Sequence, residues 1–204
     1  MDRLSAVRRS LLSLALALGA WAGCNEKHEA IVPSSRYEAV KAVADSPSHW
    51  CDSTFSGAAS RLTLPPLAAA RPGVAPLALP KGKRVWVNLW ATWCKPCLRE
   101  MPLLLKWRDE LRKDGVEVDI VFLSIDEDVE ALDRFLFARK DIPAASVARV
   151  ASQADYEQWV KAYVKDPSTP IPIHLLGSAD GNLRCIRSGS LREGDYPAAK
   201  SALR

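Results

Sequence analysis

An apolar run followed by a cysteine pair occupies residues 85–97, Val85-Trp86-Val87-Asn88-Leu89-Trp90-Ala91-Thr92-Trp93-Cys94-Lys95-Pro96-Cys97. The Val- and Trp-rich first half predicts a buried β-strand. The cysteines then stand at a strand-to-helix junction, and we expect the helix to run from about Cys94 to Lys113. At a helix N-terminus, unpaired N–H groups and the helix dipole lower a thiol pKa from about 8.5 to about 7 or below. The placement therefore predicts redox chemistry, with Cys94 attacking and Cys97 resolving.

The two residues between the cysteines support this interpretation. Pro96 at an early helical position loses no hydrogen bond, because that N–H would be unpaired. Lys95 places a positive charge beside Cys94 and favours the thiolate.

The rest of the chain alternates strand and helix patterns. We predict a strand over Val116–Ile125, helices over Glu127–Lys140, Tyr156–Val164 and Asp195–Leu203, and a hairpin of Ile171–Leu176 and Leu183–Arg187 that turns at Asp180-Gly181. This order indicates an α/β fold with a central mixed β-sheet flanked by helices. The Pro- and Ala-rich segment Ser46–Lys83 predicts irregular wrapping with short edge strands, not a second domain.

Charge and composition exclude one class of partner. The chain has 204 residues, 48% of them hydrophobic, and a formal charge of +4. Part of that charge belongs to the first 23 residues, and no basic stripe interleaved with aromatic residues follows. We therefore expect no nucleic-acid partner.

The N-terminus has the features of an export signal. Arg3, Arg8 and Arg9 precede an apolar run that is too short to span a bilayer comfortably. A transmembrane anchor and a twin-arginine signal are the alternatives. The small residues before Cys24 resemble a bacterial lipobox, although Trp21 departs from it, so we expect lipidation of Cys24 and attachment to a membrane.

With Arg99-Glu100-Met101-Pro102 after it, the cysteine segment resembles the signature of TlpA/ResA-like thioredoxins. The resemblance implies a thioredoxin-like fold with an N-terminal extension. It also implies an exported disulfide reductase, often serving cytochrome c or copper-oxidase assembly. In that family a cis-proline faces the cysteines. Pro172 matches the position of this cis-proline, and Pro170 is the alternative. The backbone of Ile171 would then contact an extended substrate, and Trp93 would frame the contact surface.

Two positions depart from related patterns. Thioredoxin itself has a buried aspartate where this chain has Asn88, so Cys97 needs another base or water to accept its proton. Glu100 is a candidate, although a first-turn acid on a solvated helix face is the commoner interpretation. Members similar to ResA have a glutamate where Lys95 stands here.

The remaining cysteines, Cys51 and Cys185, form an even pair in an exported chain. They could form one structural bridge or stay as two free thiols. Some TlpA proteins have a similar second disulfide that ties the extension to the domain, and we favour the bridge.

Other chemistries fit the sequence less well. Structural zinc needs two further ligands, and His28, His49 and His174 form no spaced pair. A copper metallochaperone related to Sco proteins would use Cys94, Cys97 and His174, but Sco proteins space their cysteines by three residues. A peroxiredoxin would need a threonine where Ala91 stands. We expect no metal and no cofactor.

The predicted organisation is a signal peptide over 1–23, a tether with a short helix over 24–50, and a thioredoxin-like domain over 51–204 with its core at 83–204. The expected partners are a protein disulfide, such as apocytochrome c or a copper-site protein, and a membrane electron donor of the thiol-relay type. The expected location is the bacterial cell envelope, on the periplasmic side, with a lipid anchor.

Overall fold

A computed structural model describes Lys41 and residues 45–57, 60–166 and 168–204. The predicted signal segment, Cys24 and most of the predicted tether lie outside these residues. Within the described ranges, no helix is long and apolar enough to cross a membrane.

Helices and strands alternate through most of the described chain. The helices are α1 (Pro47–Trp50), α2 (Lys95–Lys113), α3 (Val129–Ala138), α4 (Gln153–Val160) and α5 (Tyr196–Leu203). The strands are β1 (Ser53–Thr54), β2 (Leu67–Ala68), β3 (Arg84–Trp90), β4 (Val118–Ser124), β5 (Val147–Val150), β6 (Ile173–Gly177) and β7 (Leu183–Ser188). Short 3-10 turns cover Ala144–Ser146 and Glu193–Asp195.

The strands form one mixed sheet in the order β1-β7-β6-β3-β4-β5-β2. Strands β3, β4 and β5 are parallel neighbours, and β6 runs antiparallel to both β3 and β7. The sheet is thus mixed and flanked by helices, as the sequence predicts. Because β3 is the central strand of the sheet, the loop that follows it lies at the middle of the sheet, at the carboxyl end of β3.

Alternating side chains of β3 supply both halves of the core. Trp86 and Trp90 pack on the face that is covered by α2, α3 and α5, whereas Val87 and Leu89 pack on the face covered by α4. Burial on both faces explains why β3 is an almost unbroken apolar run. Asn88, on the face covered by α2, is the polar exception and is fully buried.

The segment before β3 wraps the domain and supplies a two-residue edge strand at each side of the sheet. Strand β1 pairs with β7 at one edge, and β2 pairs with β5 at the other. Exposed sheet edges invite pairing with other chains, so this wrapping protects the domain. The four-residue helix α1 places Trp50 at 6.3 Å, edge-on, from Trp86.

Most predicted elements are present with shifted ends. Helix α4 begins at Gln153, not at Tyr156, because the Ser152 hydroxyl accepts a hydrogen bond from the amide of Asp155 at 3.1 Å and caps the helix. Helix α2 continues through Pro102 to Lys113. The hairpin turns at Gly181, whose φ of 80° suits glycine.

Candidate active site

Cys94 and Cys97 lie at the N-terminus of α2 and form a disulfide. Cys94 is the N-cap residue, and its Sγ accepts a hydrogen bond from the amide of Cys97 at 3.3 Å. Both are buried, with exposed fractions of 4% for Cys94 and 0% for Cys97. The amide and the helix dipole would stabilise a thiolate on Cys94 after reduction, and Cys97 is the more sheltered sulfur.

A buried carboxylate holds the loop that precedes Cys94. Asp126 accepts hydrogen bonds from the amide of Thr92 at 3.0 and 3.1 Å and from its hydroxyl at 2.7 Å. The hydroxyl of Ser124 donates to the same carboxylate at 2.8 Å. This anchor joins the end of β4 to the turn after β3. Asp126 was not among the predicted site residues, although an acid directly after a predicted buried strand was a signal for it.

The cis peptide bond joins Ile171 and Pro172, and the competitor Pro170 is not part of it. The carbonyl oxygen of Ile171 lies 3.7 Å from Cys94 Sγ. Because that sulfur is disulfide-bonded, this is an approach of two atoms and not a hydrogen bond. The segment predicted to face the cysteines therefore does so.

An apolar groove with a volume of about 560 Å³ opens beside the disulfide. Trp93 is 65% exposed at its rim. The groove is lined by Trp93, Cys94, Lys95, Pro96, Ile125, Tyr156, Ser168, Thr169, Pro170 and Ile171. Its lining is mostly apolar and includes the attacking-cysteine candidate Cys94.

Glu100 is buried beneath the cysteines, one helical turn after Cys97. Its Oε1 accepts from Asn88 Nδ2 at 2.9 Å, and its Oε2 accepts from the amide of Leu191 at 2.9 Å. Burial raises the pKa of Glu100 to about 7, and the hydrogen bonds from Leu191 and Asn88 partly oppose the rise. The solvated helix face that was the commoner interpretation of Glu100 is wrong, because only 3% of the residue is exposed.

His174 completes this buried polar cluster. Its Nδ1 accepts from Trp86 Nε1 at 3.2 Å, and its Nε2 lies 3.4 Å from Glu100 Oε1. Burial lowers the pKa of His174 to about 3; the backbone of Gly189 opposes this and the charge of Arg187 adds to it. The imidazole is therefore neutral at physiological pH. From the sequence, His174 was expected to be an ordinary strand residue or, in the copper alternative, a ligand, and its contact with Glu100 was not predicted.

Cys51 and Cys185 form a second disulfide, away from the groove. Cys185 lies in β7 and is fully buried, and Cys51 follows α1. The bond joins the N-terminal wrap to the sheet, where the sequence analysis favoured a structural bridge.

The copper set Cys94, Cys97 and His174 is not assembled in this oxidised form. Within the described ranges, no three His, Cys, Asp or Glu side chains form a group that could hold a metal ion. The imidazole of His174 faces Trp86 and Glu100 instead.

Residues 82–172 match a family model described as thioredoxin-like. Thiol-disulfide oxidoreductase ResA of Bacillus cereus is 43% identical over 56 residues, which are 28% of this chain and 31% of that protein. Thioredoxin-like protein YneN of Bacillus subtilis is 40% identical over 55 residues, 27% of this chain and 32% of the relative. The chain thus spans about a third of the length of these curated relatives.

Two solved structures are similar at lower identity. The thioredoxin domain of a thiol-disulfide oxidoreductase from Bacteroides vulgatus is 22% identical, with a TM-score of 0.46 over 61% of this chain and 81% of that one. StoA from Bacillus subtilis is 19% identical, with a TM-score of 0.45 over 61% of this chain and 85% of that one. The family match includes the cysteine pair and spans less than half of the chain, and the described residues form a mixed sheet around that pair.

Proposed function

We propose that this chain is an exported, lipid-anchored thiol-disulfide oxidoreductase that works mainly as a disulfide reductase. The observation that supports this best is the Cys94–Cys97 disulfide at the N-terminus of α2, beside an apolar groove and the cis Ile171–Pro172 bond. A purely structural role would leave a redox-capable pair at the mouth of a groove without a purpose.

The reaction is thiol-disulfide exchange. The thiolate of reduced Cys94 attacks one sulfur of a substrate disulfide, forms a mixed disulfide and releases the other substrate sulfur as a thiolate. The thiolate of Cys97 then attacks Cys94 Sγ, which releases the second substrate thiolate and leaves Cys94–Cys97 oxidised. Two electrons pass from the dithiol to the substrate, and the two substrate thiolates take up the two protons that the cysteines lose.

Glu100 is our proton acceptor for Cys97. The two residues are three apart on α2 and both are buried, so they share one face of the helix. Asn88 cannot accept the proton as a carboxylate would, but its amide orients Glu100. Lys95 and Pro96 support Cys94, while Trp93 and the backbone of Ile171 contact the substrate.

The sequence of the N-terminus supports a setting for the reaction. Residues 1–23 would direct export and Cys24 would bear the lipid, and the groove would then lie in the bacterial envelope on the periplasmic side. Because that compartment is oxidising, a membrane thiol-relay donor would re-reduce the pair. Apocytochrome c or a copper-site protein is the substrate class that the family resemblance favours.

The reduction potential of Cys94–Cys97 tests the direction of the reaction. The protein is equilibrated with glutathione, the thiols are alkylated, and peptides containing each cysteine pair are quantified by mass spectrometry. A value near or below about −220 mV supports a reductase, and a value near about −120 mV identifies an oxidant and overturns this direction. Cys51–Cys185 is an internal control, since we expect it to stay oxidised throughout.

Replacement of Cys24 tests the anchor. C24S should move the protein from the membrane fraction to the soluble fraction of the envelope, because the acyl chains are lost. If C24S stays with the membrane, another element holds the protein there.

A further inference from the structure

We propose that His174 is a positioning residue that directs its Nε2–H at Glu100 and holds this carboxylate ready to accept the Cys97 proton. The inference rests on the proposed function, because it concerns the proton step of that reaction. Glu100 accepts its two hydrogen bonds from Asn88 and Leu191, and the contact with His174 is separate from both.

The sheet register creates the contact. Asn88 of β3 pairs directly with His174 of β6, so both side chains leave the same face of the sheet towards α2. Glu100 of α2 lies over this pair, with its Oε1 at 2.9 Å from Asn88 Nδ2 and at 3.4 Å from His174 Nε2. One carboxylate oxygen therefore faces two strands at once.

Trp86 sets the tautomer of the imidazole. An indole N–H can only donate, so its 3.2 Å contact makes His174 Nδ1 an acceptor. In a neutral imidazole the proton must then be on Nε2, the nitrogen that faces Glu100. Asn88 Nδ2, at 3.4 Å from Nδ1, reinforces this assignment as a second donor on the same side.

The contact favours the ionised form of Glu100. Among the described residues, Nε2 has no well-aligned acceptor, so in the oxidised protein its N–H acts on the carboxylate as a nearby dipole. The neighbours of the pair are Cys97 one turn before Glu100 on α2, Trp86 and Asn88 on β3, Arg187 on β7 opposite His174, the amide of Leu191, and the backbone of Gly189. Gly189 raises the pKa of His174 and is the acceptor that competes with Glu100 for the imidazole N–H. Burial lowers the pKa of His174, and Arg187, the fixed positive charge among these neighbours, lowers it further.

A carboxyl NMR titration of Glu100 in the oxidised protein tests the pair without any need for activity. E100Q identifies the resonance. H174M removes the Nε2–H at similar volume and should raise the pKa of Glu100 by about one unit. H174Q offers an N–H again and should return it towards the wild-type value. W86F removes the indole N–H that fixes the tautomer of His174, and it should shift the pKa of Glu100 in the same direction as H174M does.

The matched control is L175M, at the neighbouring residue whose side chain packs on the other face of the sheet. It should leave the titration of Glu100 unchanged. The inference is overturned if H174M matches L175M, or if H174Q behaves as H174M does.

Exchange kinetics separate this inference from the proposed function. With the wild type active, H174M should shift the acid limb of Cys97 resolution upwards by the same amount, and H174M/E100Q should show no such shift relative to E100Q. If the wild type does not exchange disulfides but H174M still moves Glu100, the proposed function fails and the positioning contact stands. If exchange is normal and Glu100 does not move, only the role of His174 fails.

Discussion

The two disulfides of this domain differ in the surroundings of their sulfurs and in the length of chain they close. Cys94–Cys97 spans three residues at a helix N-terminus, beside the groove and the exposed Trp93. Cys51–Cys185 spans 134 residues and ends on a fully buried strand residue. In the chain-entropy model a loop of the second length stabilises a fold by about 5 kcal/mol, and a loop of the first by less than about 2.

The difference shows how one chemical bond can serve two purposes. The short loop contributes little to folding, so Cys94–Cys97 can open and close without loss of the structure. Because Cys51–Cys185 closes a long loop, its loss should lower the free energy of unfolding strongly. Each of the following predictions would break or sharpen this contrast.

The largest effect is expected at Cys94. C94S removes the attacking thiolate, so the rate of substrate disulfide reduction should fall by at least about 10³-fold, with little change in the free energy of unfolding. A turnover assay with a disulfide-containing protein and a urea titration measure the two quantities. Retained turnover in C94S would show that the nucleophile lies elsewhere.

The reverse pattern is expected for the other pair. C51A/C185A should lower the free energy of unfolding by about 2–5 kcal/mol under oxidising conditions, because the unfolded chain regains its freedom. Disulfide exchange by the folded variant should persist. A loss of exchange as severe as that of C94S, in protein that is still folded, would contradict the structural role of this bridge.

The buried acid predicts a pH dependence of stability. Because the pKa of Glu100 is raised from 4.5 to about 7 in the fold, its contribution to stability is present below pH 4.5 and is lost as the pH rises through 7. The free energy of unfolding of E100Q should therefore not show this decrease as the pH rises. The stability of the wild type relative to E100Q should fall between pH 4.5 and 7, by at most about 1.4 kcal/mol per pH unit.

His174 titrates in both proteins and acts in the opposite direction. Its lowered pKa gives a contribution that is present above pH 6.5 and is lost as the pH falls through 3. E130Q, at an exposed glutamate of α3, is the control for the loss of a carboxylate as such. An E100Q curve parallel to the wild-type curve would show that Glu100 titrates normally.

The smallest effect is expected at the groove rim. W93A should lower kcat/KM for a protein disulfide by about tenfold, since it removes the large apolar contact but no reacting group. F137A is a matched control, because Phe137 is also 65% exposed but does not line the groove. Equal effects of the two substitutions would argue against substrate contact at Trp93.

Local patterns explain what could be predicted from the sequence. The strand ending at Trp90 and the helix after Cys94 depend on neighbouring residues, so composition and spacing suffice. The turn at Asp180-Gly181 is equally local. The cis bond at Pro172 was expected from a family resemblance, and the pairing of Cys51 with Cys185 from an even cysteine count.

What could not be predicted depends on contacts distant in the chain. Asp126 lies 34 residues from Thr92, and His174 lies 86 residues from Asn88. These contacts depend on the register of β3 against β4 and β6, which the sequence alone does not give. A shift of one residue would turn each side chain to the other face of the sheet. The burial of Glu100 has the same origin, because it depends on which face of α2 packs against the sheet.

Trapping of the mixed disulfide tests the central claim most directly. Reduced C97S is mixed with a peptide that contains one disulfide, quenched with acid, digested and analysed by mass spectrometry. We predict an adduct joined through Cys94 that accumulates because no resolving thiol remains, and no adduct with C94S. Equal trapping through Cys51 or Cys185, or no adduct at Cys94, would contradict the assignment of Cys94–Cys97 as the exchange site.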